Sequence, residues 1–181
     1  MKKYLLILLI MLLACSQQRT ETTADETAPQ KGGVSNVVDN TSRPDVVRIA
    51  SNSNVHKTLV AALKAAEYVD ALANPGPFTV FAPTDEAFAK LPAGTLDDLL
   101  KPENKAKLRA ILEYHVYVGN IRENQITDGM TLNQVSLQNI TLNKSADGKI
   151  TINKSANVIG SVEASNGTVY VVDAVLLPPD K

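Results

Sequence analysis

His115 is the sharpest candidate for chemistry in this chain, because an imidazole directly after Tyr114 could act as a general base. The competing role is a core histidine that donates to backbone or hydroxyl acceptors beneath a sheet. That role is favoured, since the only other histidine, His56, begins a polar helix face far upstream and reads as solvent-facing. Two distant histidines and a single cysteine, Cys15, outside the aromatic-bearing part of the chain give no support to a transition-metal site. Asp85-Glu86 and Asp97-Asp98 are paired carboxylates of the kind used in hydrolysis or calcium binding, but each pair falls where a helix begins, and N-capping accounts for both. No EF-hand spacing, Gly-x-Ser-x-Gly elbow or phosphate-cradling glycine loop occurs. Asp173, at the end of an apolar run, reads as an acceptor for a neighbouring backbone or Thr hydroxyl. Tyr114, Tyr117 and Tyr170 could floor a groove for sugar rings or a polyene, although core and rim packing explains them more simply. These residues predict a non-catalytic protein with no cofactor and no metal.

The elements that would hold these residues occupy only part of the 181 positions. With 18 Lys and Arg against 19 Asp and Glu, the chain has no basic footprint for nucleic acid, and one cysteine cannot form an internal disulfide. Every aromatic after Tyr4 falls between Tyr68 and Tyr170, which locates the core. Residues 16–44 are dominated by Ser, Thr, Gln, Asn, Asp and Glu and hold no aromatic. Such a stretch buries too little apolar area to offset its ordering entropy, so it reads as a disordered tether with a reach of ~30 Å.

At the N-terminus, Lys2-Lys3 and the apolar run Tyr4 to Leu13 form a signal peptide too short to span ~30 Å of hydrocarbon. Leu12-Leu13-Ala14-Cys15 resembles the bacterial lipoprotein box. The resemblance implies removal of residues 1–14, S-diacylglycerol on Cys15 and acylation of its freed amine. At ~0.8 kcal/mol per buried CH2, three chains make a firm membrane anchor. Among lipoproteins, Asp after the modified cysteine favours the inner membrane; Ser16 stands there, which points to the outer membrane of a bacterial cell envelope.

From residue 45 to 181 the pattern is that of one α+β domain, with helices mainly N-terminal and strands mainly C-terminal. Residues 45–52 start it amphipathically. Ser53-Asn54 offers cap chemistry for one helix over Val55–Ala73, with Val55, Leu59, Ala62, Leu63, Ala66 and Val69 on a single stripe. Asn74-Pro75-Gly76-Pro77 stops that helix, and Phe78–Phe81 reads as an interior strand. Thr84 or Asp85 caps the next helix, and two further helices follow Thr95 and Pro102. Ile140–Lys144 and Ile150–Lys154 alternate around Asp147-Gly148 and form a hairpin burying Ile140, Leu142, Ile150 and Ile152. Thr168–Val172, after the turn Asn166-Gly167, is a mid-sheet strand.

Gly76–Phe88, Tyr114-His115-Val116 and Ser165–Asp173 resemble, in order, the first signature, the central Tyr-His motif and the second signature of fasciclin-type domains. The resemblance implies a β-wedge or sandwich decorated by helices, with the two signatures as neighbouring strands. It also implies structural roles for Thr84, Asp85, Tyr114, His115, Asn166, Gly167 and Asp173. Fasciclin-type domains are associated with adhesion and surface interaction. Two departures stand out: Tyr170 occupies a position where the family often has His, and Ser161-Val162 replaces the Asp-hydrophobic pair of animal adhesive members. An integrin-type site therefore does not carry over. The expectation is a membrane-anchored module that binds a protein or polysaccharide partner, with carriage of a hydrophobic ligand or glycan as the alternative.

Overall fold

The computed structural model describes residues 43–179. The signal peptide, Cys15 and the tether up to residue 42 fall outside the described residues.

Helix α1 (Val46–Ser51) begins at Asp45, whose carboxylate accepts the Arg48 N–H at 2.8 Å, and it buries Val46, Val47 and Ala50. The expected single helix over Val55–Ala73 is two helices, α2 (Lys57–Ala65) and α3 (Val69–Ala73). Between them Glu67 adopts a left-handed φ of 50°, while Tyr68 N–H bonds the Leu63 carbonyl and Glu67 N–H that of Lys64. This paired bonding is the Schellman stop, usually marked by glycine. The break turns Tyr68 and Leu72 into the core, whereas Val55, expected on the inner stripe, is exposed.

Strand β1 (Phe78–Pro83) leads to α4 (Asp85–Ala89) and α5 (Thr95–Leu99). A single 3-10 turn at Pro102–Asn104 then opens α6 (Lys105–Tyr114). The strands β2 (Val116–Val118), β3 (Met130–Asn133), β4 (Asn139–Lys144), β5 (Ile150–Ile152), β6 (Ala156–Ala164) and β7 (Gly167–Val172) complete one sheet in the order β2-β1-β7-β6-β5-β4-β3. The two signature strands are neighbours: β1 and β7 run parallel, with Phe78 opposite Gly167 and Pro83 opposite Val172. The Val135 N–H donates to the Val116 carbonyl at 2.9 Å, so the chain just after β3 meets β2 and the wedge nearly closes.

Alternation along β1 and β7 feeds two apolar cores. Val80, Ala82 and Val169 face the helices, against Leu59, Leu63, Leu108 and Leu112. Phe81, Tyr170 and Val172 face the inside of the wedge, against Ile140, Leu142, Ile150 and Ile152. The hairpin β4–β5 pairs Leu142 with Ile152 and Lys144 with Ile150, turning through Gly148 at φ 83°. β5 is short and meets β6 only at Ala156 and Asn157. Beyond that point β6 has β7 on one side and, among the described residues, no strand on the other.

Candidate functional site

The motif residues lie in three separate places, and the first is the starting end of the parallel pair. Asn166 turns its side chain inward: Oδ1 accepts the Val46 N–H at 2.9 Å, and Nδ2 donates to the carbonyls of Leu72 and Asn74, each at 2.8 Å. Its own carbonyl accepts the Phe78 N–H at 2.9 Å. One asparagine thus joins α1, α3 and β1. Gly167 passes so close to β1 that a Cβ there would sit 1.9 Å from the Phe78 oxygen, and at Gly76 (φ 70°) a Cβ would fall 2.4 Å from the Asn166 oxygen.

At the opposite end of the same strands stand Thr84, Asp85 and Asp173. Thr84 caps α4, its hydroxyl accepting the Ala87 N–H at 3.1 Å. Asp85 reaches instead to α2, where Oδ1 accepts the Thr58 N–H at 2.7 Å, and its own N–H bonds the Val55 carbonyl. Burial disfavours the Asp85 carboxylate, but the bonds from Thr58 and Lys57 and the nearby His56 outweigh it and hold the pKa below the ordinary value. Asp173 accepts the Asn157 backbone N–H at 2.7 Å, the neighbouring backbone being one of the two partners expected from sequence, and Asn157 Nδ2 at 2.8 Å. Here too burial opposes ionisation and the Asn157 bonds prevail, lowering the pKa.

The third place is the junction of α6 with the wedge. His115 is buried, with Nδ1 2.8 Å from the Ile111 carbonyl and Nε2 3.0 Å from the Leu176 N–H. A carbonyl can only accept and an N–H only donate, so the ring is the neutral tautomer with its proton on Nδ1. Burial lowers its pKa to about 4, against the pull of the Ile111 carbonyl. Both nitrogens are committed, and the voids beside the ring measure about 20 and 10 Å³. Each holds at most one water, so no substrate reaches the imidazole.

His56 corrects the solvent-facing expectation, being only 4% exposed. Its Nδ1 lies 2.7 Å from Ser53 Oγ, and burial lowers its pKa despite the Ala82 carbonyl and the Asp85 charge. Ser53 therefore engages the histidine and its own loop, and does not cap α2; Asp85 does that from a distance. Asp97 and Asp98 stand in the first turn of α5, whose N-cap is Gly94. Asp98 binds Lys101 Nζ at 2.9 Å, which lowers its pKa, and also Asn104.

Two of the three tyrosines are core residues. Tyr114 is buried, its hydroxyl donating to the Asn139 carbonyl and accepting from Asn153 Nδ2. Tyr170 is also buried, stacked on Phe81 at 5.8 Å and donating to the Ile121 carbonyl, and burial raises its pKa to about 12 with Glu123 adding to the shift. Tyr117 is half-buried against the inner core. Among the described residues no cluster of His, Cys, Asp or Glu is placed to hold a metal ion, and no helix is long and apolar enough to cross a membrane.

The architecture is a helix-covered, nearly closed wedge, knotted at both ends of the two parallel signature strands. Residues 54–178 match the fasciclin domain family model, and the chain belongs to that family. It is 45% identical over 161 residues to the Synechocystis protein sll1483, covering 88% of each chain. It is 40% identical over 141 residues to the cell surface glycolipoprotein MPB83 of Mycobacterium bovis, covering 74% of this chain and 60% of that one. Among solved structures, the domain pair of the insect cell adhesion molecule Fasciclin I superposes with a TM-score of 0.66 at 22% identity, over 74% of this chain and 51% of that one. That likeness concerns the fold.

Proposed function

We propose that this protein is a lipid-anchored component of the bacterial cell envelope that presents its fasciclin domain for adhesion to a protein or polysaccharide, without catalysis. The observation that carries the reading is the internal use of the motif side chains. Thr84, Asp85, Tyr114, His115, Asn166 and Asp173 each bond within the domain, so binding falls to its outer surface. Cys15 supplies the anchor and Ser16 directs it to the outer membrane, and the mycobacterial relative MPB83 is named a cell surface glycolipoprotein. The ligand-carrier alternative draws less support, because the Tyr114 and Tyr170 rings are buried.

Labelling cells with radioactive palmitate tests the anchor. The chain takes up label and sediments with membranes, and Cys15→Ala loses both; a Cys15→Ala chain that stays labelled and membrane-bound refutes the anchor. Crosslinking on intact cells followed by mass spectrometry then identifies the partner and the membrane face.

A further inference from the structure

Where the signature strands finish, the surface opens into a cleft of about 350 Å³, bordered by Val55, Asp85, Glu86, Ile159, Val171 and Asp173. Its apolar wall is made of side chains that the backbone turns outward. Val158 pairs with Val172 and Gly160 with Val171, so Ile159 is the extra residue of a β-bulge, and it stands 59% exposed. A bulge re-aims a side chain at a cost to the ladder, and bulges recur beside functional sites. Val55 is 49% exposed, with its carbonyl held by the Asp85 N–H at 2.8 Å and its N–H by Ser53 Oγ at 3.3 Å. Asp173 pins the approach to the bulge by accepting from both nitrogens of Asn157. Both aliphatic groups therefore stand on bonded backbone, and a ligand meets a surface that is already ordered.

The rim of the cleft is charged. Asp85, Glu86 and Asp173 stand against Lys90, three negative charges to one positive, and Lys90 Nζ is turned to the Asp173 carbonyl at 2.8 Å. Burial opposes ionisation of Asp85 and Asp173, yet the bonds from Thr58 and Asn157 lower both pKa values, so these charges persist well into acid. The cleft also lies clear of the chain's entry into the domain. Pro44 meets Ser165 just before β7 begins, whereas the cleft borders its other end, six strand residues or about 20 Å away.

We propose that this cleft docks an extended segment of a partner protein in which a lysine or arginine neighbours an aliphatic residue. The aliphatic side chain packs on Val55, Ile159 and Val171. The cation reaches Glu86, and its methylene stem covers the remaining apolar wall. Charge selects this occupant: an anionic lipid surface attracts basic residues, not an acidic rim, and a neutral glycan offers nothing to it. The assignment rests on the reading of the domain as an adhesive module and gives that reading a protein partner.

Titration of the isotopically labelled full chain with octapeptides, followed by amide NMR, tests it. The probes alternate lysine with valine, lysine with serine, or glutamate with valine. The lysine-valine peptide shifts the amides of Val55, Glu86, Ile159 and Val171 and binds about tenfold or more tighter than either other peptide. Ile159→Ser and Glu86→Lys each weaken it about tenfold. Val118→Ser removes an equally exposed valine, 63% exposed on β2 and opposite Phe78 at the far end of β1, and leaves binding unchanged. Equal affinity for the lysine-valine and lysine-serine peptides, or unchanged binding in Ile159→Ser, overturns the proposal. Shifts of these amides with dextran and none with the peptide also overturn it, in favour of a glycan. So does self-association of the full chain that Ile159→Ser abolishes, since the occupant is then a second copy. A protein crosslinked on intact cells together with a silent cleft removes this assignment alone, whereas the absence of any crosslinked partner removes the adhesive reading beneath it.

Discussion

The Asn166 side chain holds the Val46 N–H at 2.9 Å across 120 positions of sequence, joining the last hairpin to the first helix. Replacing it with Ala removes three hydrogen bonds and leaves a buried N–H and two carbonyls without partners. Asn166→Ala is therefore expected to cost about 3 kcal/mol in urea unfolding. Asn166→Asp keeps the acceptor for Val46 but sets a negative charge against the Leu72 and Asn74 carbonyls, so it too destabilises the domain at neutral pH. A change below about 0.5 kcal/mol for Ala would remove the clasp from the account of stability.

Gly167→Ala places a methyl group 1.9 Å from the Phe78 oxygen. Both partners are backbone at the start of the parallel pair, so neither moves without shifting the register. A loss of about 3 kcal/mol or more is expected. Gly129→Ala is the control: φ there is 74°, but the added Cβ meets nothing within 4 Å. Its expected cost is about 1 kcal/mol from backbone strain alone. Thermal melts of the two variants distinguish packing from conformation.

His115 makes stability depend on pH. Its folded pKa of about 4 lies below the ordinary 6.5, so between those values the unfolded chain binds the additional proton. The stability this provides is fully present above about pH 6.5 and is lost as pH falls toward about 4, by about 3 kcal/mol in all. His56, also lowered by burial, adds in the same direction. Urea midpoints measured from about pH 7 to about pH 4.5 therefore decline. In His115→Gln the decline is shallower, from a starting stability reduced by about 2–4 kcal/mol because the Leu176 N–H and Ile111 carbonyl lose their partner. An unchanged slope in the variant would show that other groups set the pH dependence.

Tyr114→Phe strips the hydroxyl shared by the Asn139 carbonyl and Asn153 Nδ2. The expected loss is about 1–2 kcal/mol, seen by differential scanning calorimetry. The same substitution leaves binding to any surface partner intact, because the ring lies inside the wedge.

The local parts of this fold were legible in the sequence, and the long-range parts were not. The β4–β5 hairpin follows from alternation around Asp147-Gly148, and the central place of β7 from its apolar run, because strand period and turn chemistry are local properties. The helix break at Glu67 leaves no local mark, because no glycine or proline stands there and the apolar spacing continues across it. The burial of His56 is hidden for a different reason: Asn54, Lys57 and Thr58 around it are polar, and the junction that buries it is organised around Asp85, far along the chain. The signature resemblance placed β1 beside β7, yet nothing near Asn166 announces contacts with Val46, Leu72 and Asn74. The tyrosines were ambiguous because an aromatic ring with a polar tip suits a groove and a core equally well, and only the partners of each hydroxyl decide.

The parallel pairing of β1 with β7 also bears on when the domain can assemble. Residues 84–166, more than half of the domain, lie between these two strands, so the centre of the sheet cannot form until the last strand has been synthesised. Assembly is thus postponed to the final residues, and the wedge closes only once the whole domain is present.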